Sequence, residues 1–445
     1  MKKFLFFIFT AFLFADVVSN SNVNVLRSLD INDKFLFNKD LKKKYKEYSQ
    51  RKKRYFLNIL ENGFEILPVI KEKIISSKIP QELVAVAMAE SYFSMSAKSH
   101  KKAIGLWQFM PATAKRFGLR IDEYVDERKD PVKSTKAAID YLKYLHDFFG
   151  KWYLAIMAYN AGEARTVEGV VRAKVDKLCK SLGKRCRKDK RIKEYRKIIK
   201  AYQRYGSKSF KKLYILYKKL SYIDVSLDEL LRYQKGLKRQ YLPKETRNYI
   251  LKVVSLSFLL NSNEFLKYSN AYVLNSGVTP TFNKVSVPPG TSLYSVSRLL
   301  DIDYKTLRAN NMHLRYAFTP PYKYYIYIPY QKLAFFKEHF RGKSRYIYIY
   351  KVKKGDTLYK IAKKFDTKVK ILKDYNRVGR FLRVGQRLII PLNERYVKYI
   401  VKPGDSLLKI AKRFGISYKK IQKVNNLNSS IIRVGQVLKI PQKLR

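Results

Sequence analysis

Three short stretches hold side chains suited to bond-breaking chemistry, and the first centres on one carboxylate. Glu90 ends the run Gln81-Glu82-Leu83-Val84-Ala85-Val86-Ala87-Met88-Ala89-Glu90 and is followed by Ser91. Leu83, Val86 and Ala87 lie seven, four and three positions before it, on the same helical face. A carboxylate at the end of an apolar stripe is costly to ionise, so its pKa should rise. It can then stay protonated near neutral pH and serve as a general acid. Helix position alone would not carry this reading, because a Glu ending a helix is more often solvated. The other stretches are Gly105-Leu106-Trp107-Gln108-Phe109-Met110-Pro111 and Ala158-Tyr159-Asn160-Ala161-Gly162, which add amide, phenol and aromatic groups. No second Glu or Asp sits in a comparable motif. Glu163 borders the third stretch and reads as a solvated helix terminus.

The elements that must position these groups are helical in period from Ile66 to about Arg172. Pro80 suits the first turn of the helix that ends at Glu90. Ser134 is placed to cap a second helix, with Ala138, Leu142, Leu145 and Phe149 on one stripe and a stop at Gly150. A third spans Trp152 to Asn160 and breaks at Gly162. Before them, Val25 to Phe64 is polar and helix-like without a usable motif. After them, Arg172 to Gln240 is rich in Lys, Arg and Tyr and reads as a helical extension. An apolar helix is expected from Thr246 to Leu260, then a linker where Asn, Ser, Gly and Pro accumulate.

Beyond the linker the chain repeats itself. Val352-Lys353-Lys354-Gly355-Asp356-Thr357-Leu358 matches Val401-Lys402-Pro403-Gly404-Asp405-Ser406-Leu407. Both copies continue through Val-Gly-Gln, at Val384 to Gln386 and Val434 to Gln436, to a closing Ile-Pro. A weaker copy runs from Val287-Pro288-Pro289-Gly290-Thr291-Ser292-Leu293 to Ile328-Pro329 and lacks the Asp. Each unit reads strand, helix, helix, strand over roughly 45 residues.

The repeats resemble the LysM module, which binds N-acetylglucosamine-containing glycans. The resemblance implies a shallow sugar groove formed by Gly355, Asp356, Thr357, Leu358 and Asn376 in one copy, and by Gly404, Asp405, Ser406, Leu407 and Asn425 in the other. Helix capping by Asp or Thr is the competing reading of those side chains. The three motifs around Glu90, in their order and spacing, resemble the catalytic domain of soluble-type lytic transglycosylases, with a goose-type lysozyme-like fold. Arg128-Lys129-Asp130-Pro131 and Leu242-Pro243-Lys244-Glu245-Thr246-Arg247-Asn248-Tyr249 are similar to the membrane-bound lytic murein transglycosylase D family. That resemblance implies Glu90 as general acid and then base, cleaving peptidoglycan without water and leaving 1,6-anhydro ends. It implies substrate-binding roles for Ser91, Gln108, Phe109, Met110, Tyr159 and Asn160. Two rivals are a hydrolytic muramidase of the same fold and a non-catalytic wall-binding scaffold.

The fold expected is multidomain α+β, a mainly α-helical lysozyme-like catalytic domain followed by small βααβ modules. The expected divisions are a signal peptide (1–15), an N-terminal helical segment (16–64), the catalytic domain (65–172), a basic extension completing it (173–265), a linker (266–282) and repeats at 283–330, 346–392 and 397–442. Lys2 and Lys3 precede an apolar run of signal-peptide length, too short for a bilayer span of about 20 residues. No Cys follows the run to carry a lipid. Export to the periplasm or cell envelope is therefore expected, which disfavours nucleic acid as a physiological partner. With 94 Lys and Arg against 35 Asp and Glu, the net charge of +59 favours an anionic wall or membrane surface instead. Peptidoglycan glycan strands are the partner implied. Cys179 and Cys186 could close a small loop, worth roughly 2.5 kcal/mol in the chain-entropy model. The four His are scattered, and no metal or cofactor motif is evident.

Overall fold

The structure is a computed structural model of the 445-residue chain, and it describes residues 19–63, 65–262, 281–342, 347–365, 367–379, 381–391, 396–414 and 416–441. The expected signal peptide and nearly all of the expected linker lie outside the described residues. The chain forms two compact units. Arg120–Asp130 leaves the first and joins the C-terminal residues in the second.

The first unit is helical: α1 (Asn20–Ser28), α2 (Lys39–Lys46), α3 (Lys53–Asn62), α4 (Leu67–Ser76), α5 (Val84–Ser91), α6 (Pro111–Arg116), α7 (Pro131–Phe149), α8 (Trp152–Ala161), α9 (Glu163–Leu182), α10 (Lys190–Tyr205), α11 (Phe210–Lys219), α12 (Leu227–Leu231) and α13 (Lys244–Leu260). α13 is apolar on nearly every side, burying Ile250, Val253, Val254, Leu256, Phe258 and Leu259, as befits a central helix. α5 buries Val84 to Ala89 and lies along it. The two are tied by Lys252, which donates to the Ala89 carbonyl at 2.6 Å, and by Ser257, which donates to that of Glu82 at 3.2 Å.

Several expected boundaries change. Pro80 is extended and precedes a 3₁₀ turn at Gln81–Leu83, so α5 proper begins only at Val84. Ser134 does not cap α7 but is buried inside it. Pro131, whose missing N–H costs nothing in a first turn, starts that helix. The division at 172/173 falls within α9, because one face of that helix fastens the segment leading to α13. Arg165 and Arg172 donate to the Gln240 carbonyl, and Arg165 also to that of Tyr241. Buried Glu168 takes the Arg239 guanidinium between them. Gly169 is required there, since a Cβ would stand 2.4 Å from the Tyr241 oxygen. Nor is 16–64 a separate piece. Asp30 accepts from the Trp152 N–H that opens α8, and Asn38 donates to Asp228. The basic extension contains a disulfide between Cys179 and Cys186, with Cα atoms 5.0 Å apart.

The second unit holds three βααβ modules, as the repeats predict. They comprise β1 (Phe282–Val287), α14 (Leu293–Leu299), α15 (Tyr304–Asn310) and β2 (Tyr324–Pro329). After α16 (Leu333–His339) come β3 (Ile347–Lys351), α17 (Leu358–Lys364), α18 (Val369–Asn376) and β4 (Arg387–Pro391). The last is β5 (Tyr396–Ile400), α19 (Leu407–Phe414), α20 (Tyr418–Val424) and β6 (Val437–Pro441). Each pairs its two strands antiparallel.

Arg120–Asp130, inside the stretch expected to be catalytic at 65–172, packs as a strap on the first module. The Asp126 N–H donates to the His313 carbonyl and the Arg315 N–H to that of Tyr124, both at 2.8 Å. Buried Asp130 accepts from the phenols of Tyr325 and Tyr327, and Glu127 from that of Tyr324. Those hydroxyls keep two buried carboxylates solvated by protein instead of water.

Candidate active site

Glu90 sits in the last turn of α5, at the wall of a cavity of about 350 Å³. Its Oε1 accepts a 2.6 Å hydrogen bond from the Tyr249 hydroxyl on α13. Burial pushes the Glu90 carboxyl up to about 7. The Tyr249 hydrogen bond and the Lys252 ammonium oppose that rise without cancelling it. Burial likewise lowers the Lys252 ammonium to about 8, and lifts Tyr249 well above its usual range, helped by the charge of Glu90. Lys252 also lies 4.3 Å over the Tyr92 ring, just beyond the end of α5. The site therefore pairs an acid poised near neutrality with a phenol that stays protonated and a lysine weakened as a cation.

Asn160, at the end of α8, lines the same cavity and accepts from Thr246 at 2.8 Å. Gly162, at φ +83°, lets the chain turn there from α8 into α9. The Tyr159 hydroxyl donates to the Trp107 carbonyl at 2.7 Å, and the Glu90 charge adds to burial in raising its pKa. Phe109 is buried edge-on to Tyr159, 6.3 Å between centroids, and Trp107 is wholly buried with its indole N–H on Thr135. The second and third motifs thus form one packed wall beneath the carboxylate.

Other expected site residues stand elsewhere. Ser91 does not hold the Glu90 carboxyl; its hydroxyl donates to the Leu106 carbonyl at 2.8 Å and ties α5 to the loop. Gln108 takes a positive φ, and its amide nitrogen is used on the carbonyls of Gly105 and Ala97. Met110 is exposed just before α6. Sequence reasoning missed Tyr249 and Lys252 as site residues, and also Lys44 and Tyr48, which reach the cavity from the motif-free N-terminal segment.

A second cavity of about 260 Å³, bounded by Phe148, Tyr153 and Tyr217, has two of its three lysines already engaged. Lys174 donates to the Leu220 carbonyl and Lys151 pairs with Asp224. Among the described residues no group of three His, Cys, Asp or Glu could hold a metal ion.

In the modules, most side chains expected to meet glycan serve the fold. Asn376 donates to the Leu372 and Ile389 carbonyls and accepts from the Ile389 N–H; Asn425 treats Ile421 and Lys439 in the same way. Asn311 does so in the first module, with Leu307 and Tyr327. Asp356 and Asp405 accept from the phenols of Tyr350 and Tyr399, and from the N–H groups of Lys353 and Lys402. Thr357 and Ser406 accept from N–H groups in the first turns of α17 and α19, so the capping reading holds. Leu358 and Leu407 are buried. The turns at Gly355 and Gly404 stay open, and beside them Tyr359 and Leu408 are exposed.

Family models match at three places. The "Transglycosylase SLT domain" covers residues 68–177, the "Lytic transglycosylase MltD, LysM-like domain" 281–340, and the "LysM domain" 350–391 and 399–441. The chain is 45% identical over 97 residues, 22% of its length, to a putative tributyltin chloride resistance protein of an Alteromonas species, and spans 47% of that relative. It is 26% identical over 373 residues to membrane-bound lytic murein transglycosylase D of Escherichia coli, covering 76% of this chain and 79% of that one. Over 82 residues, 18% of this chain and 6% of the other, it is 43% identical to peptidoglycan transglycosylase gp16 of Escherichia phage T7. A transglycosylase SLT domain, an MltD-type LysM-like domain and two LysM domains thus follow one another along a chain that is similar over 76% of its length to membrane-bound lytic murein transglycosylase D.

Proposed function

We propose that the chain is a peptidoglycan lytic transglycosylase with Glu90 as its single catalytic acid and base. The observation that carries this reading is the Glu90 carboxyl, raised to about 7 at a cavity wall and held by Tyr249. Protonated Glu90 gives its proton to the glycosidic oxygen between N-acetylmuramic acid and N-acetylglucosamine as that bond breaks. The N-acetyl carbonyl of the muramyl residue stabilises the oxocarbenium-like carbon. The resulting carboxylate then takes the proton of the C6 hydroxyl as that oxygen closes the 1,6-anhydro ring. Proton and bond counts balance without water, so the paired carboxylates of most glycosidases are not needed.

Tyr249 orients the carboxyl throughout, and Lys252 favours the carboxylate that forms after the first proton transfer. Asn160 is placed to bond substrate at the cavity, while Tyr159 and Phe109 shape its wall. The LysM modules bind the glycan through the open turns at Gly355 and Gly404. An exported location, periplasm or envelope, is where this substrate occurs.

Mass spectrometry of digested peptidoglycan tests the reading. Products should end in 1,6-anhydro-muramyl groups, and reducing ends in their place would make the enzyme a muramidase. Glu90→Gln should abolish cleavage while sedimentation with insoluble peptidoglycan is unchanged. A fully active variant would remove Glu90 from the mechanism.

A further inference from the structure

Between Lys177 and Lys219 the sequence carries eighteen Lys and Arg against two acids, Asp189 and Glu194. All eighteen are exposed. Within this stretch, among the described residues, only Lys177 and Arg191 form ion pairs, with Glu229 and Asp189. The charge therefore stands largely unneutralised on an ordered scaffold. α10 buries Ile192, Tyr195 and Ile199, α11 buries Leu213, Leu216 and Tyr217, and both pack on α9.

The outer face of α11 has a pattern that a merely solvated basic run would not need. Ile215 is 57% exposed at its centre. Lys211, Lys212, Lys218 and Lys219 lie four and three residues before and after it, so four lysines occupy the helix positions next to one apolar side chain, with the ammonium groups of Lys218 and Lys219 over the Tyr214 and Tyr195 rings. Tyr205, at the end of α10, and Tyr222, just beyond α11, are exposed nearby in sequence. Lysine stems can lie along an apolar surface while their heads reach anionic phosphates, and the residue between them enters the acyl boundary. A soluble polyanion or wall polymer would use the charges and leave Ile215 without a role. An anionic bilayer uses both.

We propose that the exposed face of α11, with the basic residues of α10 beside it, docks on bilayers rich in anionic phospholipid. Ile215 enters the interface and Lys211, Lys212, Lys218 and Lys219 bind headgroup phosphates. This site is separate from the Glu90 cavity and from the LysM modules, and it stands whether or not the cleavage reading does.

The test is co-sedimentation of the full chain with vesicles of phosphatidylglycerol and phosphatidylethanolamine, against phosphatidylcholine, at about 0.15 M salt. Wild type should bind the anionic vesicles and not the neutral ones. Changing Lys211, Lys212, Lys218 and Lys219 together to Gln should weaken binding at least about tenfold. Changing Lys412, Lys419, Lys420 and Lys423 to Gln removes the same charge and should change binding less than about twofold. Ile215→Ser, which alters no charge, should still lose several-fold. Circular dichroism of every variant should match wild type. Equal losses from the two lysine sets, wild-type binding by Ile215→Ser, or binding to purified sacculi through these lysines without vesicle binding would each overturn the proposal.

Discussion

The Tyr249 hydroxyl donates to Oε1 of Glu90 at 2.6 Å, joining two helices whose residues are 159 positions apart. It favours the charged form of a carboxyl that burial otherwise neutralises. Tyr249→Phe should therefore move the alkaline limb of the rate profile upward and lower kcat by about 10- to 100-fold. A purely structural role would lower activity and leave the limb in place. The pH profile of kcat decides between them.

Lys252 acts on the same carboxyl through its charge. Lys252→Met should likewise raise the Glu90 pKa, and it also removes the hydrogen bond to the Ala89 carbonyl. The first proton transfer forms the carboxylate, so the loss should fall on release of the leaving sugar, while the more basic Glu90 closes the ring at least as fast. Pre-steady-state traces should show the leaving sugar and the anhydro end appearing together, both slowed. A burst of leaving sugar ahead of the anhydro end would count against the role.

Burial of Glu90 makes stability depend on pH with a definite sign. The folded carboxyl titrates near 7 and the ordinary group near 4.5, so the folded state holds a proton that the unfolded chain releases between those values. Stability contributed by this group is thus present at low pH and lost as pH rises through that window. Glu90→Gln should be more stable than wild type at pH 8, by on the order of 2 kcal/mol, with no gain from this term below about pH 4.5. Urea unfolding at both pH values measures the difference.

The clamp asparagines should behave as fold residues. Asn376→Ala or Asn425→Ala removes three hydrogen bonds to a helix end and a strand, and should destabilise its module by about 2–3 kcal/mol. Hydrogen exchange should quicken in β4 or β6 respectively. Unchanged exchange with lost glycan binding would return these residues to the ligand.

Glu90 was legible because an apolar helix ending in a carboxylate is a local pattern, sharpened by two nearby motifs. Tyr249 lay within a recognised stretch, Leu242 to Tyr249, yet its role depended on α13 packing along α5, which periodicity does not specify. Lys44 and Tyr48 were invisible for the same reason, in a segment without motifs. The modules were legible from repetition, but repetition does not separate binding from folding. One signal could have done so: the Asn recurs as Asn311 in the copy that lacks the Asp, which points to the fold. The strap had no local signal for its docking, since the phenols that Asp130 and Glu127 accept from come from Tyr324, Tyr325 and Tyr327, far along the chain.

That strap also sets an order on how the molecule can be made. Asp130 is synthesised 197 residues before Tyr327, which at ordinary ribosome speed is about 10–40 s earlier. During that interval Glu127 and Asp130 have no phenol to accept from. The chain cannot mature strictly from front to back, because residues 120–130 wait for the first module to be made. A product terminated before Tyr324 would leave this acidic loop without its phenol partners, so truncation ahead of the first LysM-like module should open it to proteases.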